Sequence, residues 1–381
     1  MSSNEKLSKN FCPLEIREDL NNYLEKLNAD LELGRFRFCE KGGKVPTHGK
    51  AGQMTTCFAI RTAVQCGIWQ NWSNKLKKES IKFIKSFQVK QGFFIDPWLA
   101  KSCKIGLSDL IRHTLFNRSL KKSRLIHKYN HKSNLRAETR QSSATLQMVN
   151  SLPNHLLPLE VYDETSLNTF LKSVDWNDPW HANSQVSHQI VVLSINKQID
   201  KNKINYNLLI KKILSFFNTI YEKNTGTWVL NKNIDKQSKL NGAMKLYSGL
   251  QWIKSYRKKS NKKLIDLALG IPIQFDGCNF TNSLYAIYHA RKDLINYRRD
   301  EIISRAIQCL NHSMNHKIKK SGYSFHFETC QKNYYTQKVS NGGNQADIHG
   351  TGMFSLGIAI ALKLLGDSAP KGSEYWKYIK T

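Results

Sequence analysis

The chain has 381 residues, 40% hydrophobic and 10% aromatic, which is too apolar for a disordered protein. Its mean hydropathy of -0.49 and the lack of an apolar run of about 18 residues predict no membrane span. It is a basic protein, with 58 Lys and Arg against 29 Asp and Glu and a net charge of +29. The lysines are scattered and no nucleic-acid-binding motif accompanies them, so the charge reads first as a solvated surface, and nucleic acid is not an expected partner.

Residues 1–33 read as an N-terminal helical extension. The opening MSSNEKLSKNFCPLEIREDL is charged throughout and has no apolar leader segment, so the expected location is cytoplasmic. Eight cysteines, spread from Cys12 to Cys330 without a CxxC pair, are expected to be thiols rather than a disulfide scaffold.

From residue 34 onward a unit repeats: a short glycine- or aromatic-rich segment, a polar loop, then an apolar helix rich in small residues that opens on polar ones. In the first copy GRFRFC (34–39) leads to GQMTTCFAIRTAVQCGIW (52–69). QGFFIDPW (91–98) leads through a basic stretch, read as the loop, to ETRQSSATLQMV (138–149). DWNDPW (175–180) runs straight into HANSQVSHQIVVLSI (181–195), and TGTWVL (225–230) precedes NGAMKLYSGLQWI (241–253). DGCNFTNSLYAIYHA (276–290) has almost no glycine segment. SGYSFHF (321–327) leads through a long aromatic loop to ADIHGTGMFSLGIAIALKLLG (346–366).

Amphipathic segments at 74–90, 205–223 and 298–314 have the spacing of helices wet on one side. Outer helices of this kind alternating with apolar inner ones predict an all-α fold, an (α/α)6 toroid of six helical hairpins, as a single domain over residues 34–381. In such a closure the polar residues opening the inner helices converge on one funnel. Helix N-termini favour anions, so the funnel is expected to take an anionic or hydroxylated small molecule.

The repeat resembles that of squalene/hopene cyclases and protein prenyltransferase β subunits, the terpenoid cyclase and prenyltransferase superfamily, over residues 34–366. Asp276-Gly277-Cys278 is similar to the Asp-x-Cys zinc pair of the prenyltransferases, and Asp347-Ile348-His349-Gly350-Thr351 stands where that family places its histidine ligand. The resemblance therefore implies a transferase or cyclase-like enzyme acting on an isoprenoid diphosphate. Zinc would be held by Asp276, Cys278 and His349, and there is room for a partner subunit. The chain departs from the family just before the Asp-x-Cys pair, where Leu269 to Phe275 replace the Arg and Lys that hold diphosphate, and it has no DxDD or DDxxD motif.

Read from the residues themselves, His188, Lys245 and His349 are the catalytic candidates, and Arg140, Gln141, Gln185, Asn241, Asn279 and Tyr335 the substrate-binding ones. Lys245 interrupts an apolar helix and must face a cavity, snorkel or find a partner. His181 and His188, seven residues apart, share a helical face and with Asp175 or Asp178 form an acid–base option. Capping, packing of a Trp-rich corner and buried thiols account for the same residues structurally. The same funnel also suits a carbohydrate, as in glycoside hydrolases, lyases or epimerases, or a noncatalytic binding toroid.

Overall fold

A computed structural model describes residues 6–43, 52–97, 120–200, 204–231, 233–253, 261–273, 276–334 and 337–377, without the side chains of 120–132. Twelve α-helices form among these residues: α1 (Pro13–Asn28), α2 (Gln53–Gln65), α3 (Asn74–Lys85), α4 (Leu120–Met148), α5 (Glu164–Ser173), α6 (Pro179–Ile199), α7 (Tyr206–Thr219), α8 (Lys236–Leu250), α9 (Lys262–Leu269), α10 (Gly277–Ala290), α11 (Arg299–Met314) and α12 (Ile348–Leu365). Strand is confined to two antiparallel ribbons, β1 (Tyr221–Glu222) with β2 (Thr227–Trp228) and β3 (Asn333–Tyr334) with β4 (Gln337–Lys338). The all-α expectation holds.

The caps explain where many helices begin. Ser73, Asp178, Asn205, Asp235, Asn261, Asp276 and Asp347 each accept a backbone N–H of the first turn, which satisfies donors the helix cannot satisfy itself. Asp163 and Ser166 form a reciprocal capping box on α5. Asn241, expected to open its helix, instead lies in the second turn of α8, because Asp235 takes the cap. The basic stretch expected as a loop is α4: it contains no Pro or Gly to break a helix, so Glu138, Arg140 and Gln141 lie well inside that helix rather than at its start.

Helices alternate in character along the chain. The odd-numbered ones α3, α7, α9 and α11 bury one face only, whereas α2, α6, α8, α10 and α12 are buried almost all round. Of the even-numbered set, α2 packs on α4, α4 on α6, α6 on α8, α8 on α10, α10 on α12, and α12 on α2. The most extensive pairing, α6 with α8, depends on Gly249, where a Cβ would come within 2.8 Å of the Ser187 Cα. In the turn after α3, Gly92 has φ +87° and sits against the Leu156 carbonyl, where a side chain would collide. One buried cluster runs from Ile16, Leu20 and Leu24 of α1 through the even-numbered helices to Trp376. The span 348–368 is long and apolar enough to cross a membrane, but 83% of its most apolar 18-residue window is buried inside the protein, as in the core helix of a globular fold, which is consistent with the expected lack of a membrane span.

Candidate functional site

Three cations project from three different even-numbered helices into shared surroundings. Arg61 of α2 reaches α4, donating to Thr145 Oγ1 at 2.8 Å and to the Gln141 carbonyl at 3.2 Å. Arg140 of α4 reaches α6, donating to the carbonyl and hydroxyl oxygens of Ser184 at 2.8 and 3.2 Å. Lys245 of α8 holds its Nζ 4.0 Å from the centroid of the Trp180 ring of α6, a cation–π contact. Among the described residues no carboxylate pairs with Lys245. Burial, then the positive charge of Arg140, lower its pKa to about 7, with the Cys278 thiol opposing and Arg61 adding a smaller lowering. Lys245 in turn acts on His349 of α12, whose pKa falls to about 3 through burial first and then Lys245 and His326. Of the residues expected to line one funnel, Arg140, Cys278 and His349 each couple electrostatically to Lys245. Arg61 was missed, although the same signal marks it: a lone cation inside the apolar run CFAIRTAV.

His188 is fully buried on α6, and neither ring nitrogen completes a hydrogen bond. Burial, then Arg140 and Arg136, push its pKa down to about 3, with Glu160 opposing, so the imidazole is neutral. Arg136 forms a bidentate pair with Glu160 at 2.6 and 2.5 Å, and Gln185 accepts from Arg136 at 2.5 Å. Gln185 thus positions an arginine. His181, by contrast, lies at the exposed start of α6 with its Nδ1 2.5 Å from Asp178, which also caps the helix. The shared helical face of the two histidines is broken by depth: one ends in solvent, the other in the core.

Asn241 and Asn279 belong to a ladder between α8 and α10. Gln237 and Asn282 donate to Asn241 Oδ1, both at 2.9 Å, and Asn241 donates to Asn279 Oδ1 at 3.1 Å. Asn279 donates to Asp276 Oδ2 at 2.8 Å, while Asp276 Oδ1 accepts the backbone N–H groups of Cys278 and Asn279. These amides chiefly bind each other. Gln141 contributes its carbonyl to Arg61, and its side-chain nitrogen is buried without a partner. Tyr335 lies outside the described residues.

The aromatic loop before α12 folds over His349. The imidazole stacks on Phe325 (4.6 Å between centroids), meets Phe58 and Tyr334, and its Nδ1 donates to Gln331 Oε1 at 2.7 Å. Asp347 anchors the loop by accepting the N–H groups of Gly350, Phe325 and Gln331. Burial outweighs these bonds and raises its pKa to about 6. Tyr334 donates to Glu138 Oε1 at 3.3 Å. Burial, followed by the charge of Asp96, pushes the Glu138 carboxyl up to about 8, so it is the neutral acid near neutrality. Gln53 touches both carboxylates: its backbone donates to Asp96 Oδ2 at 3.2 Å and its amide to Glu138 Oε2 at 3.4 Å.

Of the residues expected to hold zinc, Asp276 has both oxygens accepting hydrogen bonds from the cap and the ladder, and among the described residues no three His, Cys, Asp or Glu side chains gather round one point. What the interior can do is hold an anion: Arg61, Arg140 and Lys245 offer donors, while Glu138, His188 and His349 carry no charge to compete. Compared with protein-family models, with curated proteins and with solved structures, the chain finds no match.

Proposed function

We propose that the chain is a closed α/α toroid of six helical hairpins, related to the terpenoid cyclases and protein prenyltransferase β subunits, and that its interior takes an anionic substrate of the isoprenoid diphosphate class. The succession of even-numbered helices, with α12 returning to α2, supports the closure. The observation that carries the substrate reading is Lys245, an interior cation near Arg61 and Arg140 with no carboxylate of its own among the described residues. An unbalanced interior charge is costly unless a ligand supplies the counter-charge. Arg61 and Arg140, already oriented by Thr145, Gln141 and Ser184, lose little freedom in receiving an anion. Trp180, Phe58, Phe325 and Tyr334 supply an aromatic wall for an apolar tail and exclude water from it.

The test is calorimetric binding of farnesyl diphosphate and of inorganic pyrophosphate to the full chain. Both are expected to bind, the farnesyl compound more tightly, and Lys245→Met is expected to weaken both by about 10- to 100-fold, the worth of one charge-assisted contact. Failure of either compound to bind overturns the reading. Elemental analysis of protein purified without added metal is the companion test for zinc at Cys278 and His349.

A second reading, an enzyme acting on an acidic carbohydrate, is favoured by one observation: Glu138 and Asp96 are two carboxyl groups joined through Gln53, and burial together with Asp96 holds Glu138 protonated. Binding of oligouronates in place of the diphosphates would select it.

A further inference from the structure

We propose that α3 carries a docking groove for the phosphate backbone of a nucleic-acid duplex, held by Lys75, Lys78, Lys82 and Lys85 without reading the base sequence. The groove lies on the exposed side of an outer helix and does not depend on the interior anion reading.

The sequence NKLKKESIKFIK spaces these four lysines by three, four and three residues, which puts them on one face of the helix, opposite the buried Ser80, Phe83 and Ile84. Successive lysines stand about 4.5–6 Å apart along the axis, in a row about 15 Å long. The helix gains little from this row. Lys75 lies in the first turn, where the helix N-terminus already repels cations, and lysines three and four residues apart repel one another. Lys77, off the row, has local partners: it donates to the Gln70 carbonyl at 3.0 Å and lies over the Trp69 ring. Within the row, Lys82 meets Glu79, the one acid of α3, at 3.9 Å. Among the described residues Lys75, Lys78 and Lys85 pair with no carboxylate.

Beside the row a groove of about 490 Å³ opens between α3 and the segment that follows α4, lined by Lys78, Ile81, Lys82, Lys85, Ser86 and Asn154. Three of these six are cations, Ser86 and Asn154 expose a hydroxyl and an amide, and none is an acid. Cations with hydroxyl and amide donors are the groups that bind phosphate oxygens and carry no base readout. A duplex advances about 3.4 Å per phosphate on each strand, so the row spans about four phosphates of one strand, one for each lysine. An anionic membrane fits this face less well. Among the described residues no large apolar side chain is exposed on α3 to enter lipid, and a concave groove suits a strand rather than a plane. Nor does an exposed aromatic ring on α3 supply the stacking by which single strands are held, which favours the duplex.

The experiment is fluorescence anisotropy of the full chain with two DNA duplexes of about 20 base pairs and unrelated sequence, between about 50 and 200 mM salt. The logarithm of the affinity is expected to fall against the logarithm of salt with a slope of about −3.6 or steeper, and the two duplexes to bind within about threefold of each other. Replacing Lys75, Lys78, Lys82 and Lys85 together by Ala is expected to flatten the slope by about 3 and to weaken binding at least about tenfold at the lowest salt. A control that removes the same charge elsewhere, Ala at the exposed Lys172, Lys211, Lys236 and Lys263, is expected to cost less than about threefold. If the α3 variant does not fold, Lys78→Gln with Lys85→Gln takes its place, with a slope flatter by about 2. The proposal is overturned by absence of duplex binding, by a control that loses as much as the α3 variant, or by a larger spread between the two duplexes, which would mean base readout. Phosphatidylserine vesicles are tested alongside; binding to them through the same lysines, with none to duplex, overturns the proposal and assigns the row to an anionic membrane.

Discussion

Lys239 and Lys245 stand six residues apart on α8, and the protein treats them in opposite ways. Lys239 is almost wholly buried and bonded to Glu222, whose other contacts are Thr225 and Thr227 beside the β1–β2 ribbon. Lys245 faces an aromatic ring and two arginines' fields, with no carboxylate paired to it among the described residues. The same contrast separates the Asn241–Asn279 ladder, whose members bond each other, from Arg61 and Arg140, which donate to the neutral oxygens of Thr145, Gln141 and Ser184. A buried polar group thus reveals its role by whether its own fold completes its charge.

The sharpest way to break the comparison is to remove each lysine. Lys239→Met should destabilise the protein by about 3–5 kcal/mol, measured by urea unfolding, because Glu222 is left buried without its partner. A loss below about 1 kcal/mol would mean that the pair is not the closed unit described.

Glu138→Gln should show the next largest effect, growing as the pH rises from about 4.5 to about 8. The carboxyl has its ordinary value of 4.5 in the unfolded chain and about 8 in the folded one, so between those values the folded state holds a proton that the unfolded state has lost. Wild-type stability therefore falls as pH rises through the window, by roughly 1.4 kcal/mol per unit at most, while a neutral amide escapes the loss. Thermal melts from pH 5 to 9 should show the variant gaining on the wild type; parallel curves would refute the buried acid.

Lys245→Met has the mirror dependence. Folding lowers this amine from 10.5 to about 7, so above pH 7 the unfolded chain binds a proton that the folded one does not, and wild-type stability rises with pH up to about 10.5. The methionine variant should be the more stable protein at and below pH 7, its advantage vanishing towards pH 10.5. A variant less stable than wild type at pH 6 would show that Lys245 has a structural partner after all.

Smaller changes sharpen the closed side. Asn241→Ala should cost about 1–3 kcal/mol, since it strands Asn282 and Asn279 atoms, and should leave pyrophosphate binding unchanged. His181→Ala, at the exposed end of α6, should change the melting stability by less than about 1 kcal/mol and leave ligand binding untouched.

Much of the fold was legible because it is written in local terms. Small-residue apolar runs marked α2, α6, α8, α10 and α12, and 3.6-residue periodicity marked α3, α7 and α11. The missed α5 carried its own signal, the Asp163 to Ser166 capping box, and the basic stretch of α4 was hidden because a charge run reads as solvent-facing whether it is loop or helix. The site was legible in one respect: a cation inside an apolar helix identified Lys245 and, by the same rule, identifies Arg61.

Sequence by itself determined which residues cap, which bury and which helices alternate, since those depend on neighbours within about one turn. Only the tertiary structure decided that Lys239 meets Glu222 while Lys245 meets no carboxylate among the described residues, that Asp276 spends its oxygens on a cap and an amide, and that Glu138 sits beside Asp96. Those outcomes depend on desolvation and on charges brought together from separate helices, and neither quantity exists until the chain has folded.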